Sequence, residues 1–92
     1  MIRSFRARDV ETLFDDRDVP RFRRFERVAR RKLLLLHRAV GLQDLRVPPG
    51  NRLEELRGDC RGQHSIRIND QWRICFVWRD GDAFDVEIAD YH

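Results

Sequence analysis

Gln63-His64-Ser65-Ile66-Arg67-Ile68-Asn69-Asp70-Gln71-Trp72-Arg73-Ile74-Cys75-Phe76-Val77-Trp78 is the stretch whose reading decides the fold. His64, Ile66 and Ile68 alternate with Gln63, Ser65 and Arg67, the period-two pattern of a half-buried strand. The polar Asn69-Asp70-Gln71 reads as a turn, and Trp72, Ile74, Phe76 and Trp78 then alternate with Arg73, Cys75 and Val77. Asp80-Gly81 is a strong hairpin signal, after which Phe84, Val86 and Ile88 build a further strand. Three strands joined by short turns predict an antiparallel sheet.

Upstream the period changes. Ile2–Phe5 alternates briefly and reads as a short N-terminal strand. Asp9 is a suitable cap for a short helix carrying Val10, Leu13 and Phe14 at helical spacing, and Asp18 for a longer one with Pro20 in its first turn. In that second helix Phe22, Phe25, Val28, Ala29, Leu33, Leu36 and Val40 recur at intervals of three and four and predict a buried stripe. Arg23, Arg24, Arg27, Arg30, Arg31 and Arg38 fill the remaining face, and Gly41 is a natural stop. Leu42–Asn51, with Pro48-Pro49-Gly50, reads as a loop; Leu53–Leu56 reads as a short strand, joined to the next by the polar Arg57–Gly62. The expected architecture is α+β: a short N-terminal strand and two helices packed on one face of an antiparallel sheet.

Ninety-two residues, 38% of them charged and 41% apolar, suffice for a single domain, 1–92, with a two-layer core. Formal net charge is +3, unevenly spread: residues 1–38 hold 12 basic and 6 acidic side chains, residues 39–92 hold 7 and 10. The first segment is thus +6 and the second −3. Every cation but Lys32 is an arginine, whose planar fork suits bidentate phosphate contacts and stacking on bases, so a polyanionic partner is favoured. Cys60 and Cys75, the two cysteines, form no CxxC pair and show no spacing to histidine that suggests zinc; no metal or cofactor is expected. No apolar run is long enough to cross a membrane and the first residues lack a signal-peptide core, so a cytoplasmic location is expected.

Strand alternation also predicts the site. If Ile74 and Phe76 face the helices, Arg73 and Arg67 face the other way. That open face, bordered by Arg57 and by Asp90-Tyr91-His92 at the end of the sequence, is expected to be concave and cationic. His92 titrates near neutral pH and can supply either proton step of phosphodiester cleavage. Asp90 can accept a proton or orient the imidazole, Arg73 supplies fixed charge, and Tyr91 can stack on a base. The duller roles are a strand histidine for His64, a helix-end histidine for His37, packing for Trp72 and Trp78, and an ion pair of Arg67 with Glu87 or Asp85. The arginines of residues 21–31 are either a solvated face or a surface for ribosomal RNA.

Asn51-Arg52-Leu53-Glu54-Glu55-Leu56-Arg57-Gly58-Asp59, the Gly62–Ile74 block, Asp80-Gly81-Asp82 and the final Asp90-Tyr91-His92 together resemble HigB-type toxins of the RelE/ParE toxin–antitoxin superfamily. The resemblance spans the whole chain and implies a RelE-like fold. It implies a ribosome-dependent endoribonuclease that enters the A site of the 70S ribosome and cleaves mRNA by attack of the message's own 2′-hydroxyl, without a metal. It implies a HigA-type helix-turn-helix antitoxin as partner, with operator DNA bound only through that antitoxin. Carried over by position, Asp90 and His92 are the acid–base pair with Tyr91 between them, Arg73 steadies the phosphate charge, and Arg57 is a basic group near the scissile bond. Glu54 stands where some relatives carry histidine, which implies a weakened site. The alternatives are a ParE-like gyrase poison, which has no need of Asp90-Tyr91-His92, and a binding-only ribosome module.

Overall fold

Asp80 and Gly81 both adopt left-handed backbone, with φ of 53° and 80°, as a two-residue hairpin of the twisted type requires. They join the two longest strands of a computed structural model that describes residues 1–56 and 62–90. Two α-helices, α1 (Arg8–Phe14) and α2 (Glu26–Arg38), precede four strands: β1 (Glu54–Glu55), β2 (Gln63–Arg67), β3 (Trp72–Arg79) and β4 (Asp82–Asp90). The strands form one antiparallel sheet in the order β1-β2-β3-β4.

Both helices lie on one face, as the two hydrophobic periods demand. Val10, Leu13, Phe22, Ala29, Leu33 and Leu36 from the helical layer meet Ile66, Ile74, Phe76, Val86 and Ile88 from the sheet, all buried. Phe76 is wholly buried at the centre, flanked by His64 (centroids 6.1 Å apart) and Trp78 (6.3 Å).

Several local expectations are revised. The N-terminal strand is reduced to two isolated parallel bridges on the outer edge of β4, Ile2↔Ala83 and Phe5↔Val86. β4 is not regular: Val77 pairs with Phe84, but Cys75 pairs with Glu87, so two residues of β4 oppose Phe76 alone. The extra residue bulges at Asp85, where φ is 52° and the amide donates to Ser4 Oγ at 2.9 Å. The bulge reverses the alternation, so Ala83 enters the core in place of Phe84. The Phe84 ring instead carries the Arg79 guanidinium 4.4 Å from its centre.

Neither expected aspartate cap forms. Ala7 occupies the α1 cap and Asp9 sits in the first turn, its carboxylate accepting from Arg21 at 2.9 Å. The second helix begins with a 3₁₀ segment, Pro20–Phe25, capped by Val19; Asp18 accepts instead from both Nε and Nη2 of Arg23. That bond holds the Asp18 carboxyl below its ordinary range. α2 ends at Arg38, before Gly41, leaving Val40 81% exposed and outside the stripe. Residues 42–51 are not an open loop but two 3₁₀ turns, Leu42–Arg46 and Pro49–Asn51, tied to the core by Leu45 and Asn51.

Candidate active site

Arg67 and Arg73 are Cα partners on β2 and β3, so both project from the face of the sheet opposite the helices. Like charges directly opposed repel, and each guanidinium is separately accommodated. Arg67 donates from Nη2 to Asp70 in the following turn, not to Glu87 or Asp85. Arg73 donates from Nε to the buried Ser65 Oγ (2.8 Å) and from Nη2 to the Arg52 carbonyl (2.6 Å). Its side chain is only 12% exposed, and Glu54 Oε2, 4.0 Å from Nη2, is its one carboxylate among the described residues. Among the described residues Nη1 has no hydrogen-bond partner, so Arg73 is there a fixed fork with donor capacity in reserve, the property needed to receive an anion without reorganising.

Around the two arginines lies a cleft of about 420 Å³ that Arg52, Glu54, Leu56, Asn69 and Asp70 complete. Sequence reasoning identified Arg67, Arg73 and Glu54, and the fold brings all three together. It did not identify Arg52 or Ser65. Arg52 reaches the cleft because its backbone turns left-handed, φ 45°, at the end of the 3₁₀ turn. Ser65 was open to detection: it is the small residue of β2 on the same face as Arg67, where a long neighbour can fold over it.

Asp90 is placed differently. Arg73 pairs with Ala89 and Trp72 pairs with Asp90, so Asp90 shares the face of Trp72. Trp72 packs its ring 6.0 Å from Phe22 and 5.2 Å from Phe25, which makes this the helix side. Asp90 accepts from Gln71 Nε2 at 3.0 Å at the exposed end of β4. Arg73 and Asp90 are thus one register step apart but on opposite faces of the same sheet corner. Arg57, Tyr91 and His92 lie outside the described residues.

The remaining histidines are accounted for by packing. His37 Nδ1 accepts from the Ile2 amide at 3.1 Å, tying α2 to the N-terminal segment. His64 is a strand histidine that stacks on Phe76 on the core side, its Nδ1 without a partner among the described residues. Among the described residues no three His, Cys, Asp or Glu side chains cluster in a way that could hold a metal ion, and no helix is long and apolar enough to cross a membrane.

Residues 3–92 match a family model described as the RelE-like toxin of type II toxin–antitoxin system HigB. Toxin HigB-1 of Vibrio cholerae is 51% identical over 55 residues, covering 60% of this chain and 58% of that protein. Endoribonuclease HigB of Proteus vulgaris is 42% identical over 41 residues, 45% of each chain. The chain therefore matches about half the length of these curated relatives. Among solved structures, a chain of the YoeB-YefM complex from Staphylococcus aureus superposes with a TM-score of 0.53 at 15% identity, covering 100% of this chain and 98% of that one; this likeness concerns the fold.

Proposed function

Because this chain belongs to the family of HigB-like, RelE-like toxins of type II toxin–antitoxin systems, we propose that it is a ribosome-dependent mRNA endoribonuclease. A relative's name, Endoribonuclease HigB, supports the reaction class. The observation that carries the reading is Arg73: a nearly buried guanidinium, fixed by Ser65 and the Arg52 carbonyl at the floor of a cationic cleft, with Nη1 unpartnered among the described residues.

The scissile phosphate lies at the corner where β3 and the end of β4 meet. The message's 2′-hydroxyl attacks the adjacent phosphorus, the bond to the 5′-oxygen breaks, and a 2′,3′-cyclic phosphate and a 5′-hydroxyl result. Asp90 and His92 divide the two proton transfers, one taking the 2′-proton and the other giving a proton to the departing oxygen. Arg73 meets the charge that accumulates on the phosphorane, Tyr91 stacks on a flanking base, and Arg57 and Arg67 hold the strand. Since Asp90 and Arg73 occupy opposite faces, the message crosses the sheet corner instead of running along the open face. The ribosome aligns it, so the protein needs no deep pocket. The partner in the cell is a HigA-type helix-turn-helix antitoxin, through which alone operator DNA is engaged, and the protein acts in the cytoplasm. Membership of a type II toxin–antitoxin family supports an antitoxin as partner.

Cleavage of a defined message on purified ribosomes tests the reading. The protein should cut the A-site codon in excess chelator, and His92→Gln should lower the rate about 10²–10⁴-fold. An uncut message under these conditions, with ribosomes still bound, would reduce the protein to a binding module. Glu54, 4.0 Å from Arg73, is the observation that favours this second reading, because its carboxylate competes with phosphate for the same cation.

A further inference from the structure

Between α2 and the Pro48–Asn51 turn lies a groove of about 410 Å³ that shares no lining residue with the Arg73 cleft. Its floor is apolar, built from Leu34, Leu35 and Pro48, and Leu34 is 40% exposed. Its rim is cationic: Arg31, Lys32 and Arg38 line it without a single carboxylate. Among the described residues none of the three cations has an acidic partner.

Lys32 makes the arrangement unusual. It holds a stripe position of α2, three residues beyond Ala29 and four before Leu36, and only 8% of it is exposed. Its Nζ donates to Asn51 Oδ1, a neutral acceptor that also binds the Leu45 and Val47 carbonyls through its own amide at 3.2 Å each. Held among the described residues by a neutral amide alone, this buried ammonium has lost hydration without gaining a counter-ion from them. Burial is the first cause that lowers its pKa, and the Arg31 and Arg67 charges add to it.

We infer that this groove is the docking site of the antitoxin, taking from it a segment in which an apolar side chain flanked by carboxylates seats on Leu34, Leu35 and Pro48 while a carboxylate supplies Lys32 and Arg38 with their missing counter-ion. Resting on the toxin–antitoxin reading above, this adds where and by what chemistry the partner is held. Bare polyphosphate would match the rim but gains nothing from the apolar floor, whereas an acidic, leucine-bearing peptide matches both. The groove and the Arg73 cleft share no lining residue, so separate substitutions can probe the two.

The test measures affinity of the full chain for the product of the reading frame adjacent to its gene, and for programmed ribosomes, in parallel. Leu34→Glu with Arg38→Glu changes two exposed positions and spares the core. The pair should weaken antitoxin binding at least about 100-fold while message cleavage stays within about threefold of wild type. Lys32→Met should weaken it about tenfold. Lys32 is the sole lysine, so its ammonium gives one ¹⁵N-lysine resonance, which should shift on complex formation in the wild type. Antitoxin bound equally by wild type and the double variant, with the lysine signal unmoved, overturns the docking site and leaves the toxin–antitoxin reading standing. Loss of ribosome binding with antitoxin affinity retained overturns it in favour of an RNA contact. A wild-type chain that does not bind the adjacent protein removes the antitoxin reading itself, and the docking site with it.

Discussion

The two faces of the sheet are made from the same strands and yet are held by different physics. On the helix side Ile66, Ile74, Phe76, Val86 and Ile88 interlock with the stripe of α2, and stability there is a matter of volume. On the open side Ser65, Arg67, Arg73 and Glu54 meet through directed polar contacts, and two arginines stand opposite one another at a cost the packing does not require. Repulsion tolerated on one face while the other is optimised is what a site for a polyanion looks like. It follows that substitutions on the two faces should fail in different assays.

The largest expected effect is on the packed face. Phe76→Ala empties the centre of the core and should cost about 3–5 kcal/mol of unfolding free energy, read by urea denaturation. For a single small domain that is enough to abolish folding, and toxicity with it. Arg73→Ala should do the opposite: a barrier higher by about 2.7–4 kcal/mol in the ribosome cleavage assay, with the fold retained by circular dichroism. A smaller loss of stability should accompany it, since buried Ser65 Oγ forfeits its partner. If Arg73→Ala unfolds the chain as Phe76→Ala does, the distinction between the faces collapses. Asp85→Val forces a branched side chain into the left-handed bulge and should cost about 1–2 kcal/mol. It tests whether the bulge maintains the separation, because a β4 that slips into the regular register set by the hairpin would turn Val86 and Ile88 outward. Glu54→Gln should have the smallest consequence. It frees Arg73 from a distant, exposed carboxylate and should speed cleavage by no more than about fivefold, in keeping with a surface pair worth less than 1 kcal/mol. A slower variant would instead give Glu54 a direct part in the chemistry.

Much of this was legible beforehand for reasons that can be traced to particular residues. Ile66, Ile74 and Phe76 fixed the parity of β2 and β3, and with it the facing of Arg67 and Arg73. Asp80-Gly81 fixed the hairpin. What escaped was local competition. Asp9 and Asp18 look like caps in isolation, but Arg21 and Arg23 fold back and take their carboxylates. Lys32 was passed over because its charge hid its place in a stripe whose spacing it obeys.

The clearest boundary between sequence and structure runs through β4. Period two alone determined that Phe84, Val86 and Ile88 belong to a strand, and that Asp90 stands at its end. A regular ladder from the Arg79↔Asp82 pair would then set Asp90 opposite Gln71, on the face of Arg73. The bulge at Asp85 shifts the register by one, so Asp90 stands opposite Trp72 instead and shares the side of the helices. No local pattern announces that shift, because Phe84, Val86 and Ile88 alternate without a break. It is decided by tertiary packing: with Trp72 against Phe22 and Phe25, Val86 and Ile88 can be buried on the helix side only if one residue is looped out between them and the hairpin.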